Sequence, residues 1–224
     1  MRSALLAPPD FFNEYHWDGR PFLLVGMGPS FSRIHDFDIS IYNTMGINKV
    51  VREIPVDICH IIDFYIVDKI ANEIEKNSKY LVLPYFPHFG YRPNFCLTAQ
   101  EVSRKLRQSI KDKILCYNLS TMRFNIGKSP TIEAHYFNAE ASLNLIAHLG
   151  CKVVKAIGID GGTSRAGAFS DHGPCDPRGF DLQWDNMART IRRFNLDYSN
   201  LDGTEINPKL QSLLWDTKVE RTSG

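Results

Sequence analysis

No hydrophobic run in the sequence approaches the roughly 20 apolar residues that span a bilayer. The apolar part of the first ten residues is also too short for a secretory signal. An excess of charge is missing as well: lysine and arginine number 26 against 25 aspartates and glutamates. No global field therefore draws the chain onto nucleic acid or an anionic membrane, and any phosphate must be held locally. Cysteine is sparse and unpatterned. Cys59, Cys96, Cys116, Cys151 and Cys175 are odd in number and form neither a CxxC pair nor a zinc-spaced cluster with histidine. They read as reduced thiols of a cytoplasmic protein, most of them packed as small hydrophobes. There is no internal repeat.

What the chain has, in 224 residues of 43% hydrophobic composition, is enough apolar material for one full core, and a single domain over 1–224 is expected. Residues 1–20 form an aromatic, proline-bearing extension closed by the turn signal Asp18-Gly19-Arg20-Pro21. The run Phe22-Leu23-Leu24-Val25 then predicts a first, central strand, with further strands at 38–42, 56–62, 80–83, 114–117 and 153–157. Helices are predicted over 63–76, 98–111, 139–149 and 182–194, with a shorter one at 208–215. Thr98 and Glu101 make a capping box at the start of one, and Gly150 suits a left-handed cap at the end of another. Apolar runs alternating with helical stretches predict a Rossmann-like α/β domain, with a mostly parallel twisted sheet flanked by helices. Residues 163–180 carry no periodicity and read as a flexible active-site loop, and a tail begins near 216.

The turn Gly26-Met27-Gly28-Pro29-Ser30 directly follows the first strand. Its glycines allow a sharp turn, and the segment after them can aim amide groups and the Ser30 hydroxyl at the phosphate end of a nucleotide-type ligand. The alternative is a bare tight turn. It is neither a P-loop, lacking Gly-Lys-Ser/Thr, nor a GxGxxG fingerprint, since Phe31 fills the third glycine position. Polar residues are expected at other strand ends, where open parallel sheets bind ligands: Asn43, Asp63, and Asp160 within Gly158-Ile159-Asp160-Gly161-Gly162. Asn43 and Asp63 would otherwise cap a turn and a helix. Asn138, just before a helix, would either cap it or face the same crevice.

Among seven histidines, His172 in the 163–180 loop is the best placed general base, with His88 and His135 as rivals and His35, His60 and His148 in structural positions. Arg165 and Arg178 could neutralise a leaving phosphate or simply be solvated. Asp171, Asp176, Asp181 and Asp185 show no metal-ligand spacing, so no metal is expected.

The set Gly26-Met27-Gly28-Pro29-Ser30, then Tyr42-Asn43, then 57–63, then the 139–150 helix running into 152–160, resembles the bacterial sialyltransferase fold group and the related motility accessory factor glycosyltransferases. The likeness covers roughly 22–162. Met27 stands where the sialyltransferases have Asn, and Phe137-Asn138-Ala139 where they have Thr-Ser-Gly. The resemblance implies a nucleotide-sugar site lined by Gly28, Ser30, Asn43, Asp63, Asn138, Gly158 and Asp160, with His172 as base after the Gly-Ile-Asp segment. It implies a glycosyltransferase of bacterial surface-polysaccharide biosynthesis, passing a sugar, such as an acidic sugar from a CMP-activated donor, to a glycan acceptor without a cofactor. Such an enzyme would reach a membrane-bound acceptor from the inner face of the membrane or through a partner. The same Gly-Pro-Ser turn is similar to that of archaeal hydroxymethyl-dihydropterin pyrophosphokinases, which would require ATP and magnesium. A third reading is a non-catalytic nucleotide-binding module of a larger synthase. Exposed aromatics such as Tyr85, Phe86, Phe89 and Tyr91 would suit self-association.

Overall fold

The run Phe22–Val25 forms β1 with all four side chains buried, as a strand covered on both faces requires. The computed structural model describes residues 8–86, 98–120, 125–134, 137–171 and 177–222. After a short helix α1 (Phe11–Glu14) and β1 come β2 (Asn43–Ile47), β3 (Val56–His60), α2 (Ala71–Asn77) and β4 (Ser78–Pro84). The chain continues through α3 (Ala99–Lys105), α4 (Gln108–Lys111), β5 (Ile114–Leu119), β6 (Thr131–Ile132) and α5 (Asn138–His148). It closes with β7 (Val153–Ile157), α6 (Pro177–Phe194), β8 (Asp197–Asn200) and α7 (Pro208–Thr222).

These strands make one sheet in the order β6-β5-β4-β3-β2-β1-β7-β8, every neighbouring pair parallel. The Rossmann-like α/β expectation is met. Alternate residues of β1 divide between two cores: Phe22 and Leu24 pack with α5 and α6, while Leu23 and Val25 pack with the segments on the other face. The chain walks outward from β1 to β6 and then returns to the far side of β1 as β7. The strand order thus reverses beside β1, and a crevice lies at the carboxyl ends of the strands there.

The second strand is displaced from its expected place. Residues 38–42 look strand-like, but the Asp38 carboxylate accepts the Ser40 N–H (3.0 Å) and hydroxyl (2.6 Å), a local bond that competes with a ladder. Ile41 is left exposed, and the strand forms instead from Asn43-Thr44-Met45-Gly46-Ile47, buried throughout. Gly46 is needed there, because a Cβ would stand 2.9 Å from both Val50 and Val56 side chains. The 98–111 helix is divided into α3 and α4 at Arg107, which is extended and pairs with Glu75. Gly150, at φ +90°, closes α5 as expected.

A polar cluster joins three elements in the core. His60 Nδ1 is 2.6 Å from the Ser142 hydroxyl and Nε2 is 2.8 Å from the Tyr117 hydroxyl, tying β3 to α5 and β5 with no exposure at any of the three. Burial lowers the His60 pKa from 6.5 to about 3, so the ring is neutral.

Candidate functional site

The segment after β1 packs backbone to backbone against the segment after β7. Gly26 N donates to Ile157 O (2.8 Å) and Gly28 N to Gly158 O (2.8 Å). Ser30 Oγ accepts the Gly158 N–H (2.7 Å), and Ser30 N donates to Asp160 Oδ2 (2.9 Å). The expected phosphate cradle at 26–30 is thus corrected: the Gly26, Gly28 and Ser30 amides and the Ser30 hydroxyl are engaged within the protein. The Asp160 carboxylate occupies the start of the 3₁₀ segment Pro29–Asp36, where a ligand anion was expected. A Cβ on Gly28 would lie 2.3 Å from that carboxylate, so its glycine is explained by contact between the two connections.

A crevice of about 170 Å³ lies between these connections, the ends of β2 and β3, and the start of α5. Of the expected site residues, Gly28, Asp63, Asn138, Gly158 and Arg165 line it, whereas Gly26, Pro29, Ser30 and Asp160 stand behind its wall. Asn43 is corrected outright. It begins β2 rather than ending it, so it sits at the amino-terminal end of the strands, away from the crevice, where its amide bonds Asp18 (2.6 Å) and the Tyr15 hydroxyl (3.3 Å). His172, with His88 and His135, lies outside the described residues.

The residue that does end β2 at the crevice is Asn48, which sequence reasoning missed. It holds a left-handed φ of +54°, a conformation asparagine tolerates better than most side chains. The signal available was an asparagine between Gly46-Ile47 and the basic stretch Lys49–Arg52. Its orientation follows from a chain of hydrogen bonds with only one polarity. Ile62 N can only donate, so Asn138 presents Oδ1 to it (2.8 Å). Asn138 Nδ2 then donates to Asn48 Oδ1. Asn48 Nδ2 remains as a donor with no acceptor among the described residues, on a side chain that is 8% exposed and lines the crevice. Asn138 is thereby a positioning residue rather than a helix cap; Phe137 holds the cap position, its N–H accepted by Glu140 (3.2 Å). Asp63 makes no capping hydrogen bond to the following 3₁₀ segment Phe64–Ile70 and instead adds a carboxylate to the crevice wall.

The region expected as a flexible loop is anchored over its described first half. Ala166 N donates to Met27 O (3.0 Å), and Phe169, fully buried, meets Phe31 edge-on at 4.9 Å within the 3₁₀ turn Gly167–Phe169. Asp171 pairs with Lys49 (2.9 Å) and Arg52 (2.8 Å), which hold its carboxyl at about 2. The helix α6 already begins at Pro177. Arg165 lies half-buried on the crevice wall just before the first of these anchors, and burial lowers its pKa.

Among the described residues, no group of three or more His, Cys, Asp or Glu side chains could hold a metal ion, and no helix is long and apolar enough to cross a membrane. Cys59, Cys116 and Cys151 are free and buried. Comparison with known proteins finds no matching family model, no matching curated protein and no matching solved structure.

Proposed function

We propose that the crevice binds a nucleotide-type ligand and that the chain is a glycosyltransferase acting on a nucleotide-activated sugar and a glycan acceptor. The observation that carries the binding is the oriented, nearly buried amide of Asn48, directly after β2, facing a crevice beside the β1/β7 switch point that also holds a carboxylate and a guanidinium. The transfer rests on the sequence resemblance. In it, an acceptor hydroxyl oxygen attacks the anomeric carbon, the bond from that carbon to the nucleotide phosphate oxygen breaks, and the hydroxyl proton passes to His172. At about 170 Å³ the crevice is smaller than the roughly 300–1,000 Å³ of typical ligand pockets, so such a ligand would extend across its open mouth.

A thermal-shift screen against CMP, CDP, UDP, GDP and ATP, with and without magnesium, tests the reading. Stabilisation by a nucleotide without metal is expected, about 2.7 kcal/mol at a hundredfold excess over its dissociation constant. Stabilisation by ATP only with magnesium would replace this reading with the pyrophosphokinase one, and silence across the panel would remove the nucleotide site. With a donor identified, His172→Ala should abolish transfer and retain donor binding. Retained binding with no transfer by the unaltered protein would make it a binding module.

Asn138→Asp tests the oriented amide. One carboxylate oxygen still accepts the Ile62 N–H, but the other now faces Asn48, whose amide must turn over to donate. The crevice then meets an acceptor where it had a donor. Affinity for the nucleotide found in the screen should fall about 10- to 100-fold by calorimetry, matching the roughly 1–3 kcal/mol of an unsatisfied polar contact. Unchanged affinity in a folded variant would show that Asn48 does not touch the ligand.

A further inference from the structure

With the Gly26, Gly28 and Ser30 amides engaged by the end of β7 and the connection after it, an anion entering the crevice finds most of its donors elsewhere on the wall. They stand directly beyond Asp160. Gly161 and Gly162 are consecutive left-handed residues, at φ +77° and +74°, and with Ser164 and Arg165 they line the crevice. With no side chains in the way, an oxyanion can approach the backbone amides of two such glycines closely. Among the described residues, the amides of Gly161, Gly162 and Ser164 have no hydrogen-bond acceptor.

The loop is also built on fixed supports. Asp160 is held by the Ser30 N–H on one side and Ala166 by Met27 O on the other, while Asn207 Nδ2 donates to Asp160 O (3.1 Å). Buried Trp184 packs beneath Gly161 so closely that a Cβ there would fall 2.7 Å from its ring. The Asn48 amide, nine-tenths buried and turned into the same crevice, adds a further donor. Asp63, on the β3 side, is repulsive to an anion and suited to hydroxyl groups.

We infer that Gly161, Gly162, Ser164 and Arg165 form the anion subsite of the crevice, taking the phosphate of a nucleotide whose hydroxyl-bearing part lies toward Asp63. This rests on the reading of the crevice as a nucleotide site. It assigns the phosphate to the segment after β7 rather than to the adjoining 26–30 turn that the sequence motif singled out.

The test is calorimetric titration of matched pairs, nucleoside against nucleoside monophosphate for each common base, together with inorganic phosphate and pyrophosphate alone. The unaltered protein should bind one monophosphate more tightly than its nucleoside. Arg165→Gln should weaken that monophosphate roughly tenfold or more, the effect of losing a charge-assisted contact, and leave the nucleoside within about twofold. An unchanged monophosphate-to-nucleoside ratio would overturn the subsite and leave the nucleotide reading intact. Binding of inorganic phosphate as tight as that of any monophosphate would keep the subsite and remove the nucleotide reading, and no binding by any probe would remove both. Amide NMR of the unaltered protein decides independently of the variant: the monophosphate should shift Gly161 and Gly162 relative to the nucleoside. Shifts confined to Gly26 and Gly28 would return the phosphate to the first turn.

Discussion

Gly158→Ala is expected to destabilise the fold by several kcal/mol. Gly158 holds φ +71°, and a Cβ there would stand 2.3 Å from Gly26 O and 2.5 Å from Gly26 C. Those atoms are backbone within the innermost pair of connections and cannot rotate aside. The left-handed conformation costs a non-glycine residue about 1–3 kcal/mol, and overpacking adds roughly 1–3 kcal/mol more. A loss on the order of 2–6 kcal/mol is a large part of the roughly 5–15 kcal/mol that holds a domain folded. Gly26→Ala probes the same contact from the other side, since its Cβ would lie 2.2 Å from Gly158 O. The two losses should therefore fall short of adding in the double variant. Gly167→Ala is the control: its Cβ meets nothing within 4 Å, and a change within about 0.5 kcal/mol is expected. Urea denaturation of the four variants decides, and a Gly158→Ala midpoint equal to that of the unaltered protein would show that the two connections do not pack as described.

This contact explains what the sequence disclosed and what it hid. The glycines at 26, 28 and 158 stood out because glycine is conspicuous, and their place at strand ends was correctly read. Their purpose was not, because a glycine admitting a neighbouring backbone and one admitting a ligand look alike in sequence. Only the position of Asp160, whose carboxylate fills the space beside Gly28, separates the two.

The strands β1, β3, β5 and β7 were legible as apolar runs because each is buried among neighbours in a parallel sheet. β2 was not, since Asn43-Thr44-Met45-Gly46-Ile47 has little intrinsic strand character and draws its conformation from pairing with β1 and β3. That displacement moved the expected strand end from Asn48 to Asn43, so a correct rule about polar strand ends picked the wrong asparagine. β6 and β8, Thr131–Ile132 and Asp197–Asn200, lie at the sheet's edges, and neither carries an apolar run to announce it. Asp63 and Asn138 were found because they flank strongly patterned elements. Their partners were invisible, since the Asn138–Asn48 bond joins residues far apart in the chain.

Acidification should destabilise the protein well before its carboxylates titrate, and His60 is the reason. Its pKa is near 6.5 when unfolded and is lowered by burial to about 3 in the fold. A depressed value means that the unfolded chain binds the proton first. The stabilising difference is complete above pH 6.5 and is lost progressively as the pH falls toward 3. The slope is about 1.4 kcal/mol per pH unit, so roughly 2–3 kcal/mol should be lost between pH 6.5 and 4.5. Tyr117, raised far above its ordinary range by burial, and Ser142 stay neutral throughout, so neither can compensate an imidazolium between them. His148 is also lowered by partial burial and adds to the slope in the same sense. His60→Gln keeps a donor and an acceptor at the position but cannot titrate, and the contribution of His148 persists in it. The difference between the two urea-derived stability profiles therefore isolates His60. Imidazole NMR supplies the second readout: the His60 ring should remain neutral down to pH 4.5 in the folded protein. Titration of that ring near 6.5 would mean that water reaches it, and that β3, β5 and α5 do not close over the His60–Ser142–Tyr117 cluster.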